Sequence, residues 1–423
     1  MYNSTRMPTD FDRMLRTYAE LTVKIGLNLQ PRQRLLIIGP VANGGCSLEA
    51  APLVRQITAA AYDAGAQLVE TLWGDEALLG ARLQHAPHDS FGEFSAWLPQ
   101  ALVQHVEAGH AVLSIYANDP DQLKGYQAEH VAAVQQATAR GVRPFREHIS
   151  RNQTNWGVVA AAAAAWAARV YPDLPAAEQM TALWSAIERL CRLDRPDPIA
   201  AWETHLAELA ARTDHLNAKQ YSALRYSGPG TSLTIGLPAG HVWVGGRSSS
   251  ASGIRFAPNL PTEEVFTMPH KDRVDGTVWS TKPLSYGGTL IEGFSLTFAE
   301  GRVVDVKAEK NEDVLRRLVK MDGGAARLGE LALVPHNSPV AQTGVLFYNT
   351  LFDENAASHV ALGAAYKFTL RGGETMTDEE FERAGGNRSA THVDFMIGSP
   401  ELDVDGVLET GGTEPVMRRG DWV

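Results

Sequence analysis

Cysteine is almost absent from this chain: Cys46 and Cys191 are the only two among 423 residues. Two thiols so far apart in sequence supply neither a disulfide framework nor a cysteine-rich zinc site, and they fit a reducing compartment. Positive charge is also scarce, with 38 Lys plus Arg against 49 Asp plus Glu and a net charge of -11. That excludes a general basic footprint for nucleic acid or for an anionic membrane surface, so a small or neutral partner is expected. No uncharged apolar run reaches the length of about 18 residues that a membrane span needs. The opening MYNSTRMPTDFDRM lacks the apolar core of a secretory signal. A soluble cytoplasmic protein is the expectation. Phosphate-binding glycine patterns are missing too. The run GPVANGGCSLE matches neither G-x-G-x-x-G nor G-x-x-x-x-G-K-[ST], so it is taken as an ordinary strand-to-helix turn.

What is present is length and a globular balance. With 44% apolar and 21% charged residues the chain is too long for one ordinary domain, and two domains, at most three, are expected. From Thr9 onward, Phe11, Met14, Leu15, Tyr18, Leu21 and Ile25 recur at helical spacing, with Thr9 or Asp10 as N-cap. RLLIIG is an apolar run of the kind buried on both faces of a parallel sheet. A helical pattern in LVRQITAAAYDAG follows it, and AQLVETLW and HAVLSIYA come next as strands. Alternating strand and helix is the α/β signature.

The Ala-, Trp- and Leu-rich stretch from Asn155 to Leu216 is helical by propensity and period. After about Tyr221 the texture changes to glycine-rich, β-branched alternation in TSLTIGLP, HVWVGG and GTLIEGFSLTFAEGRVVDVKAE, with a hairpin turn expected at AEGRV and a helix at NEDVLRRLVKM. The expected organisation is therefore an α/β N-terminal domain over 1–220, with a parallel-type sheet, flanking helices and the helical segment 155–216. A β-rich α+β domain over 221–423 then carries the metal-binding and catalytic residues.

That second domain concentrates acids and imidazoles beside turns: Glu263 and Glu264 in PTEEVF, Glu330 in LGELALV, Asp353, Glu354, His359 and Tyr366 in LFDENAASHVALGAAY, and His392 with Asp394 in THVDFM. In a strand, residues i and i+2 share a face, so His392 and Asp394 can reach one cation. Imidazole and carboxylate donors without thiolate suit zinc, cobalt, manganese or iron(II), and several carboxylates suit a pair of metals. Taken singly, each residue has a plainer reading. His392 and Asp394 fit a solvated ion pair, Glu263 and Glu264 first-turn helix acids, Glu330 a strand-entry residue with its carboxylate in water, and His359 a satisfied core histidine. On a helix, Tyr366 would share a face with His359 about 10 Å further along, so the two would address a site only from opposite sides.

Longer blocks change the weight. NLPTEEVFTMP, GTVWSTKPL, LGELALV, SPV, LFYNTLFDENAASHVALGAAY and NRSATHVDFMIG resemble the signature blocks of the aminopeptidase T and aminopeptidase S family of metallopeptidases. NQTNWGVVAAAAAAWAARVYPD resembles that family's Trp-containing segment, so the similarity spans nearly the whole chain. The resemblance implies Glu264 as a metal carboxylate, Glu330 as the carboxylate bridging two metals, and His359, Tyr366, His392 and Asp394 as the remaining groups at the metals. It further implies two divalent cations per chain (Zn, Co or Mn), peptide substrates with a free N-terminus, and a homodimer. A metal-activated water would be the nucleophile, with Glu263 as proton shuttle and Tyr366 as oxyanion stabiliser. A rival from another reaction class is a mononuclear iron(II) ring-cleaving dioxygenase of hydroxypyridine-type substrates, for which His359, His392 and Asp394 suffice as a facial triad. Retention of both Glu264 and Glu330 favours the hydrolase.

Overall fold

The computed structural model describes residues 10–41 and 44–423. The chain forms two compact units: the first runs to His205 and takes in Arg247–Pro261, and the second comprises Leu206–Gly246 and Thr262–Val423.

The first unit is α/β. Its opening helix, Asp10–Leu21, buries Met14, Leu15, Tyr18 and Leu21, and Asp10 and Asp12 sit in the first turn, where the helix dipole favours acids. Thr9, the other expected cap, lies outside the described residues. Four parallel strands, β1 (Arg34–Ile38), β2 (Leu68–Thr71), β3 (Ala111–Tyr116) and β4 (Trp156–Ala160), pair in the order β2-β1-β3-β4. β4 corrects the expectation of helix throughout 155–216. Val158 and Val159 favour extended backbone, and at Gly157 the side chains of Leu27 and Leu113 approach to 3.3 and 3.4 Å of where a Cβ would stand. The alanine run that follows masked this strand. Helices Ala164–Val170, Ala176–Leu190 and Pro198–Lys219, joined by short turns, make up the helical part of the segment.

The expected single boundary between 1–220 and 221–423 also needs correction. Residues Arg247–Pro261 return to the first unit. There Asn259 bridges to Val158 in parallel, and the Ala257 N–H donates to the carbonyls of Ile25 and Gly26. Such pairing joins residues far apart in sequence and leaves no local pattern to read.

The second unit is β-rich. Its strands are β5 (Ala223–Gly228), β6 (Thr231–Gly236), β7 (Val244–Gly245), β8 (Val265–Thr267), β9 (Val274–Trp279), β10 (Leu284–Tyr286), β11 (Thr289–Ala299) and β12 (Arg302–Lys310), then β13 (Leu328–Leu333), β14 (His359–Gly363), β15 (His392–Met396), β16 (Asp403–Val407), β17 (Thr413–Arg418) and β18 (Asp421–Trp422). A nine-stranded sheet runs β10-β11-β9-β6-β5-β16-β17-β18, with β12 on β11. At the expected AEGRV hairpin Ala299 pairs with Arg302, and Glu300 and Gly301 both take positive φ (50 and 77°), as a two-residue primed turn requires. A five-stranded sheet runs β15-β14-β13-β8-β7. Leu224, Ile235, Phe294 and Leu296 of the large sheet share one core with Leu331, Leu333, Val360, Leu362 and Phe395 of the small one, and Leu315 and Leu318 of the expected helix Glu312–Leu318 close it. Among the described residues no helix is long and apolar enough to cross a membrane.

Candidate metal centre

The five-stranded sheet places its side chains by register. Ala332 pairs with His359, Glu330 and Asp394 both pair with Ala361, and Gly363 pairs with His392. Directly opposed residues point to the same face, as do residues i and i+2 along a strand. Glu330, His359, His392 and Asp394 therefore emerge together, with Ala332, Ala361 and Gly363 as small residues between them. On β8, Phe266 opposes Ala332, and Glu264, two residues earlier, joins the same face. The alternate residues, including Leu331, Leu333, Val360, Leu362 and Phe395, are buried in the core. Burying that apolar set is what fixes the register and so gathers the polar set, because a one-residue slip would exchange the two faces.

The donor atoms converge closely. His359 Nε2 lies 3.2 Å from Glu264 Oε2 and 3.7 Å from Glu330 Oε1. His392 Nε2 lies 3.6 Å from Glu330 Oε2 and 3.4 Å from Asp394 Oδ1. Each imidazole uses its other nitrogen on a backbone carbonyl, His359 Nδ1 on Ala357 O at 3.1 Å and His392 Nδ1 on Ala364 O at 2.8 Å. A carbonyl only accepts, so both Nδ1 atoms carry hydrogen, and a neutral ring then turns its Nε2 lone pair toward carboxylate oxygens. Lone pairs facing anions call for a cation between them, a proton or a metal. Glu264 Oε2 and Asp394 Oδ1 are, moreover, buried without a hydrogen bond. Two sets of donors, Glu264–Glu330–His359 and Glu330–His392–Asp394, each fall within 4.8 Å, and Glu330 belongs to both. Nitrogen and oxygen donors of this kind fit zinc, manganese or cobalt.

The electrostatics of these side chains alone agree. Burial pushes the Glu330 carboxyl up, against the pull of both histidines. Burial pulls His359 down, but Glu264 and Glu330 more than reverse it and hold the ring well above its ordinary value. Burial likewise lowers His392, yet Asp394 and then Glu330 raise it to about 10. Asp394 ends below the usual carboxylate range because His392 and His359 outweigh its burial. The cluster thus retains protons, which bound cations would displace.

Several plainer readings do not survive. Glu263 and Glu264 precede a strand, not a helix, and are buried. Glu330 is buried within β13 and not in water. His359 lies on β14, and Tyr366 follows in the turn before Lys367–Thr369, so helical spacing does not apply. The Tyr366 ring sits 5.0 Å from that of His392. The Glu263 N–H donates to Asn355 Oδ1 at 2.6 Å, which ties that segment to the one bearing Glu354. Asp353 accepts from the N–H groups of Phe347 and Asn349 at 2.8 and 2.9 Å, a loop-closing role, and burial pushes it up to about 6.

Glu354 has no part in the ligand set implied by the family blocks, yet its carboxyl feels the charges of that set. Burial first, then Glu264 and Asp394, hold its carboxyl well above the ordinary range. Its only sequence signal is an acid five residues before His359. Gly363 is a tight point of the site face: its φ is +110°, and a Cβ there would stand 2.1 Å from Thr391 O. Gly363→Ala should cost at least ~2 kcal/mol through strain and a pushed-back β15, measured by chemical unfolding. A change below ~0.5 kcal/mol would contradict this account.

Comparison with known proteins agrees with this geometry. Residues 11–422 match the family model described as thermophilic metalloprotease (M29). The chain is 48% identical to aminopeptidase 2 of Geobacillus stearothermophilus, covering 97% of this chain and 98% of that one. It is 46% identical to aminopeptidase T of Thermus thermophilus, covering 98% and 99%. The solved structure of wild-type AmpT from Thermus thermophilus superposes with a TM-score of 0.91 at 45% identity, covering 98% of this chain and all 100% of that one. The iron dioxygenase alternative finds no support, since the match is to a peptidase family and the two imidazoles fall into different donor triads. With its donor cluster and its full-length match considered together, the chain belongs to the thermophilic metalloprotease family M29, whose named relatives are aminopeptidases.

Proposed function

We propose that this protein is a two-metal aminopeptidase that removes the N-terminal residue from peptides with a free amino terminus. One observation carries the reading: the two oxygens of Glu330 face different imidazoles, so a single carboxylate serves both donor triads. Glu264 and His359 would complete one site, and His392 and Asp394 the other. Two divalent cations (Zn, Co or Mn) would polarise the scissile carbonyl and lower the pKa of a shared water.

The remaining steps fall to side chains. A proton must pass from the attacking water to the leaving amine, and a carboxyl whose affinity for protons is raised suits that transfer. Glu263, buried and next to Glu264 in the chain, is one candidate by position. Glu354 has the stronger claim, because its carboxyl is electrostatically linked to Glu264, Asp394, His359 and Glu330. Burial, then Glu330 and Asp394, keep the Tyr366 phenol well above its usual pKa, so it keeps its hydrogen and donates it to the developing oxyanion. Two such chains would act as a homodimer, which sedimentation tests.

Chelation should abolish peptide hydrolysis, and zinc, cobalt or manganese should restore it. N-acetylated peptides should be cleaved little or not at all. Full activity in excess chelator with metal shown to be absent, or equal rates on blocked and free peptides, would overturn the reading.

A further inference from the structure

Most phenylalanines of the second unit are interior: Phe294, Phe298, Phe347, Phe352, Phe381 and Phe395 are all buried. Phe266 and Phe368 are not; both are only half-buried. They also stand together. Phe266 lies 6.2 Å from Phe368 and 6.4 Å from Tyr366, both edge-on, while Tyr366 stacks on Phe368 at 5.3 Å. Tyr366 in turn lies against His392 at 5.0 Å. Register puts Phe266 on the face of β8 that also bears Glu264, opposite Ala332. A partly open aromatic surface therefore borders the donor cluster from two directions, β8 and the turn after β14.

We propose that Phe266 and Phe368, with Tyr366 between them, form the wall of the subsite that receives the side chain of the substrate's N-terminal residue. This wall selects aromatic and large aliphatic residues. The assignment rests on the aminopeptidase reading and deepens it. In an aminopeptidase substrate the N-terminal side chain springs from the carbon next to the scissile carbonyl, so it must lie directly beside the reacting centre. The surface offered there is apolar and planar, which favours contact with a ring or a branched aliphatic chain over a small or charged one. The one cation of the same turn is already engaged: Lys367 Nζ donates to Met376 O at 2.8 Å and pairs with Asp378 at 2.9 Å.

The test uses full-length, metal-loaded protein and nitroanilides of Phe, Leu, Ala and Glu. Wild type should prefer Phe and Leu, and Phe368→Ala and Phe266→Ala should each cut the Phe-over-Ala ratio of kcat/KM at least about 10-fold, the Phe rate falling much further than the Ala rate at unchanged metal content. Phe368→Leu, which keeps apolar bulk, should retain the Leu rate and lose part of the Phe preference. As a readout apart from turnover, calorimetry should show L-phenylalanine binding more tightly than L-alanine, with the difference lost in Phe368→Ala. Equal losses on all substrates at normal metal content, or an unchanged ratio in both alanine variants, would overturn the subsite while leaving the peptidase reading intact. Metal-loaded wild type that hydrolyses none of the nitroanilides would instead overturn the peptidase reading, and the subsite with it.

Discussion

Glu330→Gln should yield a folded protein whose kcat/KM on a free-amino-terminus peptide falls at least about 10²-fold, with the binding of both metals weakened together. The amide keeps the size and one acceptor oxygen but removes the charge and turns the other ligand atom into a donor. Glu330 Oε1 faces His359 and Oε2 faces His392, so the change strikes both triads. Loss of Glu264 or Asp394 should disturb one triad first, because each belongs to only one. Stability should not fall much, since burial already raises the Glu330 carboxyl and an uncharged group there relieves desolvation. Metal content, unfolding and turnover on the same preparation decide the matter. Two bound metals and near-normal turnover would remove the shared-carboxylate role and the two-metal mechanism with it.

Glu354→Gln should reduce kcat by about 10² to 10⁴-fold while metal content stays at the wild-type value. A group that only moves a proton contributes to the barrier and not to holding the cations. The acidic limb of the kcat/KM profile should also disappear or shift, because the titrating base has gone. Glu263→Gln is expected to have the smaller effect. The opposite order, with Glu263→Gln crippling turnover and Glu354→Gln near wild type, would return the shuttle to Glu263.

Much of this was legible before any fold was known. The continuous apolar run of β1 and the alternation of strand with helix announced a parallel α/β sheet, and the Glu300–Gly301 turn announced its hairpin. Scarce cysteine limited any metal site to nitrogen and oxygen donors. The family blocks named Glu264, Glu330, His359, His392 and Asp394, which the structure brings onto one sheet face. Other features were not legible. β4 hid in front of an alanine run, and Arg247–Pro261 looked like part of the second domain although its partners lie in the first. Glu354 and Asp353 are neighbouring acids with nothing local to tell them apart, yet one is raised by the charges of the donor carboxylates and the other closes a loop.

The sequence alone determined which atoms could be offered and the period with which each strand would present them, because side-chain alternation is a property of the local backbone. Only the tertiary structure decided that Glu264, Glu330, His359, His392 and Asp394 meet, and that one carboxylate is shared. That choice follows from the register of four strands separated by long stretches of chain, fixed by burying Leu331, Leu333, Val360, Leu362 and Phe395 on the opposite face. Those apolar contacts are non-local and collective, so no segment of the chain read by itself contains them.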